Sequence, residues 1–120
     1  MRTSRPVRIT IGDDVLDGRL WDNPTASDLA TLLPLTVAFR DLNQVEKIAP
    51  LSRALTTDGV PPGDDAEPGV IGYYAPSNDL VFYYENVGYW DGIVRIGELD
   101  GDIETLRAHT GSFTARVELA

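Results

Sequence analysis

Alternating apolar and polar residues predict a β-hairpin at the beginning of the chain. Val7, Ile9 and Ile11 are apolar and are separated by single polar residues, which is the period-two pattern of a half-buried strand over residues 6–11. The Gly-Asp-Asp sequence that follows is typical of a tight turn, and residues 15–21 are expected to return as the partner strand. The chain therefore opens with an antiparallel pair of strands.

The pattern changes to that of a helix after this hairpin. Leu29, Leu32 and Leu33 fall on one face of a helix predicted over residues 26–33. Thr25 stands in the position of an N-cap, and the proline that follows the segment ends it. We therefore expect one short helix between the first hairpin and the next strand.

Period-two patterns return along the remainder of the chain. They predict five more strands, over residues 36–41, 69–74, 80–85, 92–99 and 112–119. The region 43–69 contains four prolines and an acidic run and is expected to be a long irregular loop. Residues 100–108 are predicted to form a second short helix or a turn. We find no linker and no repeat, so residues 1–120 are expected to form a single domain.

This set of elements favours one architecture. About seven short strands with one or two short helices predict a mainly β protein, and in particular a closed antiparallel β-barrel. Closure is favoured because a chain of 120 residues cannot leave many strand edges unpaired without inviting aggregation. The helices are expected to cover the ends of the barrel.

Composition excludes several classes of function. The chain has no cysteine, which excludes disulfides and thiol chemistry, and its one histidine, His109, cannot form a histidine cluster for a metal. A net charge of −9 argues against nucleic acid binding, because a polyanion would be repelled. No apolar run approaches the ~18 residues of a membrane span. We therefore expect a cytoplasmic protein with no bound metal, no cofactor and no membrane or nucleic acid partner.

Three segments together resemble a known family. They are LWDNPTASDLATLLPLTV (20–37), EKIAPLSRAL (46–55) and GVIGYYAPSNDLVFYYENVGYWDGIVRIGEL (69–99). In order and spacing they resemble the bacterial cyclophilin-like fold family, whose members are small single-domain barrels. The resemblance implies a cyclophilin-like β-barrel and carries no activity, since one fold hosts unrelated functions. The Phe-His-Arg and Gln-Gly-Gly motifs of true cyclophilins do not occur here, so peptidyl-prolyl isomerase activity is a less favoured alternative.

The aromatic residues are concentrated in one stretch, residues 72–90, which contains every tyrosine of the chain. In the strand 80–85, Phe82 and Tyr84 share one face and Tyr83 lies on the other, and Tyr73 and Tyr74 are likewise split. These rings either pair across strands or line a ligand cleft, because rings and hydroxyls are the mixture that small-molecule pockets use. Both interpretations remain open for each ring.

Tyr89 and Trp90 are the most suggestive aromatic residues for function. They lie between Gly88 and Gly92, in a segment that is predicted to be a turn. Cross-strand pairing does not explain aromatic residues in a turn, so we expect them at the lip of a cleft. A cleft with this composition predicts a protein that binds a small organic ligand.

Three residues are candidates for acid/base chemistry in the same cleft. Glu85, at the end of a tyrosine-rich strand, is the candidate base if the protein is an enzyme, because burial in the barrel would raise its pKa; the alternative is a solvated strand terminus. Tyr83 could supply a hydroxyl acid, and Arg53 could anchor a ligand carboxylate or stabilise an oxyanion. If Arg53 is structural, it is expected to pair with a carboxylate such as Glu46 or Glu85.

The sequence therefore leaves three functions to compare. The first is a small-ligand-binding barrel, and the second is a cofactor-independent isomerase, dehydratase or cyclase that uses the same cleft. The third is an interaction module that grips an extended peptide or forms a homodimer through an aromatic strand edge. Whether the protein is an enzyme is not decided by any motif in the chain.

Overall fold

The chain closes into an eight-stranded antiparallel barrel that carries a separate two-stranded ribbon on its outside. The computed structural model describes residues 4–101 and 103–120. Within these residues the strands are β1 (Arg5–Ile11), β2 (Asp14–Leu20), β3 (Leu35–Leu42), β4 (Glu46–Pro50), β5 (Gly63–Ala66), β6 (Val70–Tyr74), β7 (Asp79–Tyr83), β8 (Gly88–Asp91), β9 (Ile93–Leu99) and β10 (Phe113–Leu119). The order around the barrel is β1-β10-β3-β4-β7-β6-β9-β2, and β5 pairs with β8 in the ribbon. The predicted closed β-barrel is confirmed.

The first hairpin forms as its alternation predicts. Ile9 lies opposite Leu16 in the β1–β2 register, and the side chains of Val7, Ile9 and Ile11 are buried inside the barrel. The turn between the strands places Gly12 at φ +59°, a left-handed conformation that glycine adopts without steric cost. The sequence pattern alone predicts this hairpin correctly because only one of its faces is covered, so apolar and polar residues alternate.

The barrel interior is a packed apolar core with an aromatic stack near one end. The ring of Phe39 lies 4.7 Å from the ring of Phe82 and 5.5 Å from that of Phe113, both in stacked geometry. These three rings come from β3, β7 and β10 and pack against one another as part of the interior cluster. Aromatic pairs of this kind stabilise a core beyond their buried area, by about 0.5–1.5 kcal/mol each.

The first helix, α1 (Pro24–Ala30), is shorter than predicted and has a different cap. The side chain of Asn23 accepts a hydrogen bond from the backbone N–H of Ala26 at 2.8 Å, so Asn23 is the N-cap and the prediction of Thr25 is wrong. The Thr25 hydroxyl is buried and donates to the Thr56 carbonyl at 2.6 Å instead. The second helix, α2 (Glu104–Ala108), buries Leu106 against the barrel.

The region 43–69 is not the long irregular loop that the sequence predicts, since it contains β4 and β5. β4 pairs with β3 on one side and β7 on the other, and its residues Ile48 and Ala49 are both buried. Two covered faces remove the alternation on which strand prediction depends. β5 is short and acidic and is recognisable only through its pairing with β8.

The predicted turn at 88–92 is also wrong, because these residues include the strand β8, which begins at Gly88 and is followed by Gly92, both at positive φ. The ribbon of β5 and β8 covers part of the outer barrel wall, and a second apolar cluster lies beneath it. Gly63 lies against the tip of the Tyr89 side chain, since a Cβ at this position would lie 2.6 Å from the Tyr89 hydroxyl. The ribbon turns one outer face of the barrel into a half-enclosed surface.

Candidate functional site

The tyrosines divide between the two sides of the barrel wall as their alternation predicts. Tyr73, Phe82 and Tyr84 belong to the interior core, whereas Tyr83 and Tyr74 belong to the outer cluster beneath the ribbon. This division is the period-two consequence of neighbouring positions on β6 and β7. It decides which rings can border an external cleft.

The inward rings have structural partners. The Tyr73 hydroxyl accepts a hydrogen bond from the Leu55 N–H at 3.1 Å and donates one to the Asn78 side chain at 2.7 Å. The Phe82 ring lies in the stack with Phe39. The structure does not bring Tyr73 or Phe82 to the surface of any described cleft, although the sequence predicts both as ligand contacts.

A cleft of about 210 Å³ lies on the outer wall of the barrel, beside the ribbon. Its main lining residues are Leu42, Glu46, Tyr74, Tyr83, Trp90 and Ile93. These residues come from β3, β4, β6, β7, β8 and β9, so the cleft depends on the closure of the barrel and on the position of the ribbon. Two tyrosine rings and one indole around one carboxyl group are a composition suited to small organic molecules.

Tyr83 forms the floor of this cleft. Its side chain is 1% exposed and its ring lies over Gly72, where a Cβ would lie 2.6 Å from the Tyr83 Cε2 atom. Burial, with the negative charge of Glu46, raises the pKa of Tyr83 well above its usual value. The phenol therefore remains protonated at neutral pH and is available as a hydrogen-bond donor.

Glu46 lies directly opposite Tyr83 in the β4–β7 register. Partial burial raises its pKa, and the negative charges of Asp79 and Asp41 raise it further. No side chain or backbone group among residues 4–101 and 103–120 donates a hydrogen bond to its carboxylate. Glu46 is therefore a half-buried acid that faces an open cleft without a partner.

Sequence reasoning names Glu46 only as a possible partner of Arg53 and misses it as a site residue. The register between β4 and β7 could have identified it. Once β4 is known to be a strand, Glu46 lies on the same face as Ile48 and opposite a tyrosine of β7. The strand is hidden by its two covered faces, so this signal is not visible in the sequence pattern.

Trp90 borders the mouth of the cleft, as expected for a residue at its lip. Its side chain is 59% exposed, and the indole N–H donates to the Val87 carbonyl at 2.9 Å, which fixes the orientation of the ring. Tyr89 is equally exposed but lies over Gly63, on the other face of the ribbon. Of the predicted pair, the structure brings Trp90 and not Tyr89 to the cleft.

Arg53 and Glu85 lie away from the cleft and do not pair with each other. Arg53 makes a bidentate ion pair with Asp28, at 2.7 and 3.1 Å, so the expected partners Glu46 and Glu85 are wrong. The Glu85 side chain is 49% exposed and lies 3.0 Å from the guanidinium of Arg107. Glu85 is therefore the solvated strand terminus that the sequence leaves as the alternative to a buried base, and the structure does not bring the predicted catalytic group together.

Tyr84 faces a second cavity, of about 270 Å³, at one end of the barrel. Its hydroxyl donates a short hydrogen bond to Asp41, and burial together with this bond raises the pKa of Tyr84 to about 12. The buried ammonium group of Lys47 donates to Asp41 at 3.0 Å and to the His109 carbonyl at 2.7 Å. These polar groups satisfy one another, which is the arrangement of a structural network.

Another cleft, of about 230 Å³, lies between Trp21 and the loop before β5. Its charged groups are Arg95 and Asp64, which pair with each other at 3.2 Å. The guanidinium of Arg95 also lies 5.6 Å from the centre of the Trp21 ring. No uncompensated acid or base borders this cleft within the described residues, so its similar size does not make it the better candidate.

Two kinds of site are not found within the described part of the chain. No group of three or more His, Asp or Glu side chains there has an arrangement that could hold a metal ion. None of the helices there has the length and apolar character needed to cross a bilayer.

The third predicted function is peptide binding or self-association through an aromatic strand edge, and in the structure that edge is β8. Tyr83 and Tyr84 are buried, whereas every residue of β8 is exposed and the strand carries Tyr89 and Trp90. A homodimer or peptide complex formed through an aromatic edge would use β8. It stays a prediction.

The fold and the cleft define a small closed β-barrel with a half-enclosed aromatic site on its outer wall. Residues 9–118 match the model of the Cyclophilin-like family. The chain belongs to this family, and the resemblance seen in its sequence segments is confirmed at the level of the family and its fold.

A solved structure with the same fold gives no further information about activity. The solution structure of the hypothetical protein AF2241 from Archaeoglobus fulgidus is similar over 100% of this chain and 98% of that chain, with a TM-score of 0.77 and 16% sequence identity. A likeness at this identity shows the fold alone. None of the curated proteins matches the chain.

Proposed function

We propose that this protein binds a small organic ligand in the cleft between the outer barrel wall and β8. The observation that supports the proposal is the convergence of Tyr74, Tyr83 and Trp90 around the unpartnered carboxyl group of Glu46. Rings provide rigid apolar contact area, and the phenols and the carboxyl group provide directional hydrogen bonds. The cleft volume of about 210 Å³ suits a metabolite-sized molecule with a single ring or a short chain.

A thermal-shift screen against small aromatic and aliphatic acids, amines and alcohols tests this proposal. A ligand that binds only the native state raises the unfolding free energy, by about 2.7 kcal/mol when its concentration is 100 times its Kd. We expect at least one stabilising compound whose effect is lost in Trp90→Ala. A matched control is Val15→Ala, which removes an exposed apolar side chain on β2, the strand opposite β4 in the barrel.

The outcome of the screen distinguishes binding in the cleft from binding elsewhere on the surface. A compound that stabilises the unmodified protein and Val15→Ala equally, but not Trp90→Ala, supports the proposal. A compound that stabilises Trp90→Ala as well as the unmodified protein binds elsewhere and contradicts it, as does a broad screen with no stabilising compound.

Acid/base catalysis in the same cleft is the second candidate, and one observation favours it. Glu46, whose pKa is raised, lies opposite Tyr83, whose hydroxyl is protonated. A proton acceptor and a proton donor therefore face the same space. Cofactor-independent isomerisation, dehydration or cyclisation needs such a pair. Glu46 here takes the role that the sequence predicts for Glu85, while Tyr83 keeps its predicted role.

The enzymatic candidate is tested by proton exchange. Ligands found in the screen that carry acidic C–H groups are incubated in D₂O with the protein and followed by NMR. We expect deuterium incorporation that is abolished in Glu46→Gln and retained in Glu118→Gln, which changes a partly exposed carboxylate on β10 that pairs with Arg116. Equal incorporation with the two variants would contradict this candidate.

A further inference from the structure

The charges around the cleft are strongly unbalanced. Glu46 is the carboxylate that lines it, and no arginine, lysine or histidine of the described chain borders it. Neither an ion pair nor a hydrogen bond from any described residue compensates this carboxylate. A half-buried carboxylate without a partner is electrostatically unfavourable, so the site favours a ligand that brings positive charge.

The groups that surround Glu46 strengthen this imbalance. They are Asp41 of β3, Asp79 and Tyr83 of β7, and Tyr74 of β6. Asp41 and Asp79 both act on Glu46 as negative charges. Of the cations on the neighbouring strands, Lys47 donates to Asp41 and to the His109 carbonyl inside the barrel, and Arg40 is exposed and forms no ion pair with any residue that the structure describes.

We propose that the ligand of this cleft is a small organic cation, an ammonium group attached to an apolar ring or chain. This inference rests on the proposed function, since it names the chemical class that the same cleft would bind. The ammonium group would donate to the Glu46 carboxylate, and the apolar part would lie against Leu42 and Ile93.

The aromatic residues supply the second part of the recognition. Tyr74, Tyr83 and Trp90 border the space in front of Glu46, and the electron-rich faces of such rings attract organic cations. Tyrosine and tryptophan are the ring types that favour this contact most, and indole is the best of them. A neutral ligand of the same shape leaves the carboxylate unpaired, and an anionic ligand is repelled by it. The cleft therefore discriminates by charge.

Three probes of nearly the same shape test the charge preference: benzylamine, benzyl alcohol and benzoate. Binding is followed by the indole N–H signals of ¹⁵N-labelled protein, because Trp90 borders the cleft and Trp21 does not. At neutral pH we expect benzylamine to shift the Trp90 signal with an affinity about tenfold or more above that of benzyl alcohol. Benzoate is expected to cause no shift at millimolar concentration.

Two charge-matched variants show whether Glu46 is the source of this preference. Glu46→Gln keeps the size of the side chain and is expected to lower the affinity for benzylamine by about tenfold, while benzyl alcohol binds within a factor of about two of its original affinity. Asp17→Asn removes one negative charge from an exposed residue on β2, and we expect it to leave both affinities unchanged. Retained binding of the alcohol shows that Glu46→Gln still has a folded cleft.

The possible results distinguish this inference from the proposed function. If benzyl alcohol or benzoate binds as well as benzylamine and shifts Trp90, the cleft is a ligand site and the cation inference is wrong. If benzylamine is preferred equally in Glu46→Gln and in the unmodified protein, the inference is also wrong. If none of the three probes shifts Trp90, the cation inference is overturned, and the broader screen alone decides the proposed function.

Discussion

Glu46 and Tyr83 lie opposite each other on β4 and β7, on the outer wall of the barrel and beneath the edge of the ribbon. Cross-strand neighbours on one face of an antiparallel pair are in direct contact range, with Cβ atoms about 5 Å apart. Their polar groups therefore occupy one small space, in which burial raises the pKa of each. The energetic cost of this arrangement is the property that most distinguishes this cleft from the other surfaces of the protein.

The first prediction concerns the pH dependence that Glu46 imposes on stability. Its native pKa is raised, first by burial and then by Asp79 and Asp41, so the native state holds this proton more tightly than the unfolded chain does. The free energy of unfolding should therefore fall as the pH rises through the raised pKa. Glu46→Gln removes this penalty and is expected to stabilise the protein at neutral pH by up to about 1 kcal/mol.

Urea denaturation across the acid-to-neutral range measures this effect. The difference in unfolding free energy between Glu46→Gln and the unmodified protein should grow as the pH rises above the ordinary pKa of a glutamate. Asp17→Asn provides the control, because it removes an exposed carboxylate and should show no such growth. If Glu46→Gln is instead destabilised at neutral pH, the ionised Glu46 carboxylate is not unfavourable in the native state, which would contradict the prediction.

The second prediction has the opposite sign and concerns Asp28. Its pKa is lowered by the hydrogen bonds from Arg53 and then by that from the Thr56 N–H. This contribution to stability is present above the ordinary pKa of an aspartate and is lost as the pH falls through the lowered value. Asp28→Asn should therefore destabilise the protein at neutral pH and weaken its acid-range pH dependence.

Arg53→Lys separates the bidentate geometry from the charge of the Asp28 ion pair. Lysine keeps the charge but cannot donate two parallel hydrogen bonds, so it should retain only part of the stability. Arg116→Lys is the control, since Arg116 makes a single contact with Glu118 at 3.1 Å on the surface. Equal losses in the two arginine variants, measured by chemical denaturation, would show that the bidentate contact has no special value.

The third prediction concerns Gly72, which makes room for the Tyr83 ring. A Cβ at residue 72 would lie 2.6 Å from Tyr83 Cε2, so Gly72→Ala must displace the ring. We expect it to lower the free energy of unfolding by about 1–3 kcal/mol. It should also change the shape of the cleft floor and weaken any ligand that depends on Tyr83.

A double-mutant cycle tests whether the Tyr83 ring is the cause. In a Tyr83→Ala background the steric conflict is absent, so Gly72→Ala should become nearly neutral and the coupling energy should reach about 1 kcal/mol or more. Additive effects of the two substitutions in urea denaturation would contradict this explanation.

The fourth prediction concerns the buried ion pair of Lys47 and Asp41. The Lys47 side chain is almost entirely buried, and its ammonium group depends on Asp41 at 3.0 Å and on one carbonyl group. Asp41→Ala leaves a buried cation without its counterion and is expected to cost about 3 kcal/mol. Lys47→Met fills the same space without charge and should cost clearly less, because Asp41 keeps its hydrogen bonds from Tyr84 and Gln44. Thermal or urea denaturation that shows the reverse order would contradict the prediction.

Alternation along single strands was enough to predict much of the barrel. Val7, Ile9 and Ile11 face the interior as expected, and the alternation around Tyr83 and Tyr84 correctly divides the rings between the interior and the outer face. These predictions succeed because the period of a strand is a local property. Where one face of a strand is buried and the other is exposed, apolar and polar residues alternate along the sequence.

The failures have an equally specific origin. β4 has no alternation because neighbouring residues are buried on both of its faces, Ala49 in the barrel interior and Ile48 in the outer apolar cluster. Asn23 and Thr25 are both good capping residues, and the choice between them depends on the Thr25 hydroxyl reaching the distant Thr56 carbonyl. In each case the deciding contact joins residues far apart in the chain.

The same distinction separates the fold from the candidate site. The mainly β character, the closed barrel and the two-sided placement of the tyrosines follow from patterns within short segments of the sequence. The meeting of Glu46 with Tyr83 and Trp90 was decided only by the tertiary structure. The three residues come from separate strands, and cross-strand register and the position of the ribbon depend on how the whole barrel packs, which no local period encodes.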